Sequence, residues 1–239
     1  MSVAKTNLFT IASDLRHFLL TGMQTLPLTL GGSLLLIGLF SANYPMLFFL
    51  VGYLIVVPLA TFIVNLIGSA AGIATPFAYG GKDDGVCNVI TRYEASDRAK
   101  NDMLVSYWMA MVSFFVGYIF GNGYSLNVKD ISPNPSATDP MSKSRLAEQT
   151  ARRESYTLTS MILIGILFAG VIWYRTSYAC DGFVSIMISF LFVGLGWLWY
   201  FWLAAIADDR FSDLFGIANR LLQSSALLNM PYACMPTKK

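Results

Sequence analysis

Charge is scarce in this chain, and its distribution excludes more than its amount. Only 13% of the 239 residues are charged, about half the share of an average soluble domain. The formal net charge of +2 leaves no basic surface of the kind that tracks phosphates, so nucleic acid is not an expected partner. Histidine occurs once, at His17, which excludes a histidine-based metal centre. The three cysteines, Cys87, Cys180 and Cys234, are isolated and odd in number. Without Cys-x-x-Cys spacing they imply neither a disulfide framework nor a thiolate metal site. P-loop, Gly-x-Ser-x-Gly and His-Glu-x-x-His motifs are all missing. No Asn-x-Ser/Thr acceptor is usable, since Asn134-Pro135-Ser136 is blocked by its proline, which disfavours a glycosylated cell-surface protein.

What fills the chain is apolar: 55% of it is hydrophobic. The clearest run, 183–206, has no charged side chain, and about 20 such residues suffice for a helix to cross a hydrocarbon core. Lipid offers the backbone no hydrogen-bond partner, so such runs are helices rather than open sheet. The expected fold is all-α, a polytopic transmembrane bundle of about five spans at 25–42, 46–70, 103–121, 156–174 and 183–206. The number falls to four if the first run, interrupted by Pro27, Gly31, Gly32 and Gly38, fails to cross. Only Asn43, Tyr44 and Pro45 separate the first two runs, which predicts a tight antiparallel hairpin or a broken re-entrant pair. Pro58 should kink the second by removing a helical hydrogen bond.

Outside the spans, residues 1–24 repeat apolar side chains at helical spacing, with Asp14 and Arg16 opposite. This predicts an amphipathic helix lying on the bilayer rather than a cleaved signal. The polar connection 71–102 holds a glycine-rich turn around Asp83 and Asp84, then Glu94, Arg98 and Asp102 at i,i+4 spacing, a solvent-exposed helix pattern. The connection 122–155 begins extended at Ser132-Pro133-Asn134-Pro135. Asp139-Pro140 is then a helix start, and the charged stretch after it is placed to run into the fourth span as one rod. Residues 207–239 are expected to form an interfacial helix and an extended tail. Five spans put seven Lys and Arg on the N-terminal side and nine on the other, too even a split to orient the chain.

Candidate chemistry is sparse. Asp208, Asp209 and Asp213, with Asp83 and Asp84, are the one acidic set that could hold Mg²⁺ against a diphosphate. Acids in a helix's first turn are more simply capping groups, so no metal, cofactor or catalytic residue is assigned. Asn65 is the one strongly polar residue near a span interior, whereas Gln24, Arg175 and Asp181 lie at span edges. An isolated Asn in a span most simply makes an interhelical hydrogen bond; lining a pore is the other reading. Gly68 with Gly72, and Gly117 with Gly121, are spaced to let helix backbones meet. Trp197, Trp199, Tyr200 and Trp202, and Trp173, Tyr174 and Tyr178, suit interfacial aromatic belts.

The block Asp208–Ile217 directly after an aromatic-rich span, with the terminal Pro231-Tyr232-Ala233-Cys234-Met235-Pro236, resembles multispan membrane proteins of large icosahedral DNA viruses. The resemblance covers the C-terminal third only. It implies a minor capsid protein of a virion's internal membrane, tying that membrane to the shell, with no catalytic site to carry over. Together these features lead to the expectation of a non-catalytic structural membrane protein that anchors or scaffolds an assembly. Its partners would be the lipid bilayer and other membrane or capsid-type proteins, with homo-oligomerisation left open. Arg145, Arg152, Arg153 and Arg210 are natural donors to a partner's carboxylates, against the plainer reading of solvated faces. The alternative function is a small-solute channel or transporter built around Asn65 and the broken first hairpin.

Overall fold

The computed structural model describes residues 2–72, 104–128, 140–178 and 180–207. Its elements are all helical: α1 (Ser2–Phe40), α2 (Tyr44–Val51), a π turn (Gly52–Val56), α3 (Val57–Ala70), α4 (Tyr107–Val128), α5 (Pro140–Ser177) and α6 (Phe183–Ala207). Among the described residues, five stretches are long and apolar enough to cross a membrane: Thr21–Phe40, Tyr44–Ala70, Tyr107–Val128, Glu154–Ser177 and Phe183–Ile206. The fold is therefore an all-α bundle with the make-up of a multi-pass membrane protein. The glycine-rich first run does form a full-length helix.

The N-terminal segment is not a separate surface helix. It runs without a break into the first span, through Pro27, as the single helix α1. Here Gln24 O accepts the indole N–H of Trp108 at 3.0 Å, and Pro27 O accepts the Tyr53 hydroxyl at 3.0 Å. The first two spans form the tight hairpin rather than a re-entrant pair. The turn at Ser41, Ala42 and Asn43 is closed by Asn43 N–H donating to Gly38 O at 2.9 Å, with Ala42 at φ 48°.

The disturbance expected at Pro58 is a π turn immediately before it. Pro58 has no N–H for the Leu54 carbonyl, and the ladder shifts to i→i+5 bonds, with Val57 N–H donating to Gly52 O. Such single π turns are rare and usually have a local cause. The third span begins and ends later than the apolar pattern suggests. Leu104 and Val105 form a bend held by Asn65, and α4 then continues through Gly121-Asn122-Gly123 to Val128. The charged stretch and the fourth span are one rod, α5, starting at Pro140 as expected.

The bundle is built around α4. Most of its side chains are buried, whereas α1, α2, α3, α5 and α6 each expose a broad apolar face. Its tightest partner is α6. Gly117 lies against the Val193 carbonyl, and Gly196 against the Phe114 carbonyl, so closely that a Cβ at either position would overlap the opposite backbone. Gly121 receives the ring of Tyr200. An aromatic core joins α2 to this pair: Phe49 meets Tyr53, Phe114, Phe115 and Tyr118 with ring centroids 4.8–5.9 Å apart. Tyr118 meets Tyr200 edge-on at 5.4 Å. Such pairs add about 0.5–1.5 kcal/mol each beyond the area they bury.

Candidate functional site

Five spans in alternation bring one set of helix ends together: the start of the apolar part of α1, the end of α3, the start of α4, the end of α5 and the start of α6. Four of the bundle's buried polar side chains, Ser106, Arg175, Asp181 and Ser185, lie at this face. Arg175, in the last turn of α5, is 1% exposed, and its Nε donates to Asp181 Oδ2 at 2.5 Å. Asp181 is 3% exposed, and its Oδ1 accepts the Ser185 hydroxyl at 2.9 Å. The arginine sits at a helix C-terminus and the aspartate just before a helix N-terminus, each at the end its charge favours.

The guanidinium also reaches α4. Its Cζ stands 4.7 Å from the centroid of the Trp108 ring, a contact worth about 2 kcal/mol where water is excluded. Its Nη2 donates to Ser106 Oγ at 3.4 Å. Ser106 caps α4 in the usual way, its Oγ accepting Met109 N–H at 3.2 Å, so one hydroxyl oxygen serves two donors. Trp108 in turn donates to Gln24 O on α1. A second tie completes the set. Asn65 Oδ1 accepts the amides of Leu104 at 2.9 Å and Val105 at 3.0 Å, and its Nδ2 donates to Val105 O at 3.2 Å. This side chain, from α3, supplies the backbone partners that a bend inside a bundle otherwise lacks. All five spans are thus tied at one end through buried or half-buried polar contacts.

Cys180 lies between Arg175 and Asp181 in the turn from α5 to α6. It is fully buried and disulfide-bonded, and its amide donates to Arg175 O at 2.9 Å. This corrects the expectation that the cysteines pair with nothing. Spacing along a chain carries no information about which thiols a fold brings together; Cys87 and Cys234 lie outside the described residues.

The opposite end is aromatic. Tyr124 packs on Trp197 at 5.3 Å and on Phe201 at 6.4 Å, and Trp199 stacks on Trp202 at 4.8 Å while covering Gly52. The expected aromatic belt is therefore divided in use. Trp173 and Trp202 face outward, whereas Tyr200 is core.

The other sequence candidates are placed as follows. Asn65 bonds from α3 to the bend that precedes α4. Gly117 and Gly121 face α6, and Gly68 faces Leu104. A Cβ at Gly72 would meet nothing within 4 Å, and its φ is +67°. It follows Ala71 at the end of α3, in the left-handed conformation that glycine adopts without strain at a helix terminus. It is a cap rather than a packing residue. Arg145, Arg152 and Arg153 fall on α5, but their side chains lie outside the described residues, as does Arg210 entirely. The same holds for Asp83, Asp84, Asp208, Asp209 and Asp213 and for the expected C-terminal helix.

Sequence reasoning placed Arg175 and Asp181 at span edges without pairing them. It passed over Ser106, Trp108, Ser185 and Gly196. A usable signal was present: opposite charges six residues apart, bracketing a short turn between two apolar runs. Chemically, this constellation locks helices. The charges neutralise one another, and among the described residues no three His, Cys, Asp or Glu side chains are grouped to hold a metal ion. Fold and site define a class, a multi-pass helical membrane bundle with a polar lock at one face. Comparison with family models, with curated proteins and with solved structures finds no match.

Proposed function

We propose that this protein is a non-catalytic structural component of a membrane, an anchor whose connections hold a protein assembly against the bilayer. The observation that carries the reading is the use of the interior polar groups. Arg175, Asp181, Ser106, Ser185 and Asn65 bond to one another or to neighbouring backbone and tie the spans together. Meanwhile α4 fills the bundle's axis, where a conduit through a single copy would run. A rigid bundle with a filled axis suits anchoring. In its finer form the proposal follows the C-terminal resemblance: the membrane is the internal membrane of a virion and the held assembly its capsid shell.

Crosslinking in the native membrane, with the attached peptides identified by mass spectrometry, tests this. Lys129, Lys143, Lys238 and Lys239 should link reproducibly to a few soluble shell-like proteins. Deleting 129–139 and 230–239 together should release those partners, and retention of every partner by the deleted protein would overturn the proposal. In liposomes the protein should carry no solute. A flux that Asn65→Leu abolishes would replace the anchor with a channel.

A further inference from the structure

The charge count leaves the bundle unoriented; the disulfide at Cys180 supplies what it lacks. Structural disulfides form and persist in oxidising compartments and are rare where glutathione keeps thiols reduced. Cys180 is fully buried in the turn that also sets Arg175 against Asp181. It therefore lies in the same turn as the polar lock.

Every span end tied into the lock shares this face: Gln24 of α1, Asn65 of α3, Ser106 and Trp108 at the start of α4, Arg175 of α5 and Ser185 of α6. The hairpin turn at Ser41, Ala42 and Asn43 and the end of α4 at Val128 lie at the other face. We infer that the lock face is turned toward an oxidising compartment and the hairpin face toward the reducing cytosol. The connection between α4 and α5, and the chain after α6, then start from the cytosolic face. If the anchor reading also holds, the held assembly is cytosolic; the orientation itself does not rest on that reading.

Protease protection in sealed endoplasmic-reticulum microsomes, whose outer surface is cytosolic, tests the orientation on the full chain. One epitope tag is inserted between Gly80 and Gly81, in the connection between α3 and α4; in a second protein the tag follows Lys239. The first tag should survive external protease and the second should be digested. The reverse pattern, or both tags digested or both protected, overturns the inference. On the untagged protein, maleimide labelling after denaturation should modify one cysteine without reductant and all three with it. Labelling of all three without reductant removes the disulfide and the inference with it. Loss of partner retention in the deletion experiment above is read separately, so failure of the anchor and failure of the orientation are distinguishable.

Discussion

Asp181→Asn keeps the shape of the lock and removes its negative charge, leaving the Arg175 guanidinium buried without its counter-ion. Breaking one side of a buried pair costs about 3–5 kcal/mol, whereas replacing both members by apolar side chains is often close to neutral. Asp181→Asn should therefore unfold at markedly lower temperature in detergent micelles, and Arg175→Met with Asp181→Leu should lose less than either change alone. Equal melting of Asp181→Asn and the unaltered protein would mean that the pair holds nothing. Asn65 was legible at this scale because a lone amide in a run of apolar residues has few uses. The ion pair was not, because charges at span edges read equally well as groups reaching for water. Only the fold, by placing Trp108 and Ser106 over the guanidinium, excludes water there.

At the scale of the helix, the contact that matters most is α4 against α6, and it depends on two glycines facing opposite backbones. Gly196→Leu should force the helices apart, a loss of about 1–3 kcal/mol or more, as overpacking in a tight core brings. Gly194→Leu, two residues away and open to its surroundings, should change little. Comparing the folded yields and melting temperatures of the two variants checks the contact, and matching losses would refute it. The existence of the five spans, the rod at α5 and a disturbed ladder before Pro58, seen as a π turn, all followed from apolar length and proline chemistry. The glycine spacing was half informative. Gly117 and Gly121 do pack, but an identical spacing at Gly68 and Gly72 ends in a helix cap. Gly196, which has no glycine four residues away, escaped the pattern. Spacing places residues on one face of a helix; it does not say which helix, if any, comes to meet that face.

For the whole molecule, the central position of α4 was written in the sequence with a sign opposite to the obvious one. Among the five candidate spans α4 has the lowest mean hydropathy, and a hydropathy argument alone would rank it the weakest. The physical reason is its surroundings. A helix enclosed by helices gains nothing from apolarity toward lipid and needs small and hydrogen-bonding side chains for close packing; Gly117, Gly121, Gly123, Ser113 and Asn122 are all buried there. The outer helices show lipid their large apolar groups instead. Tryptophan fluorescence separates the two environments. In variants keeping one tryptophan each, brominated acyl chains should quench Trp173, which is 76% exposed, strongly. They should barely touch Trp108, 3% exposed, which is shielded by Arg175 on its face. Quenching of Trp108 to the extent of Trp173 would mean that lipid reaches the start of α4. It would remove α4 from the centre of the bundle, and with it both the filled axis and the water-free setting that gives the lock its strength.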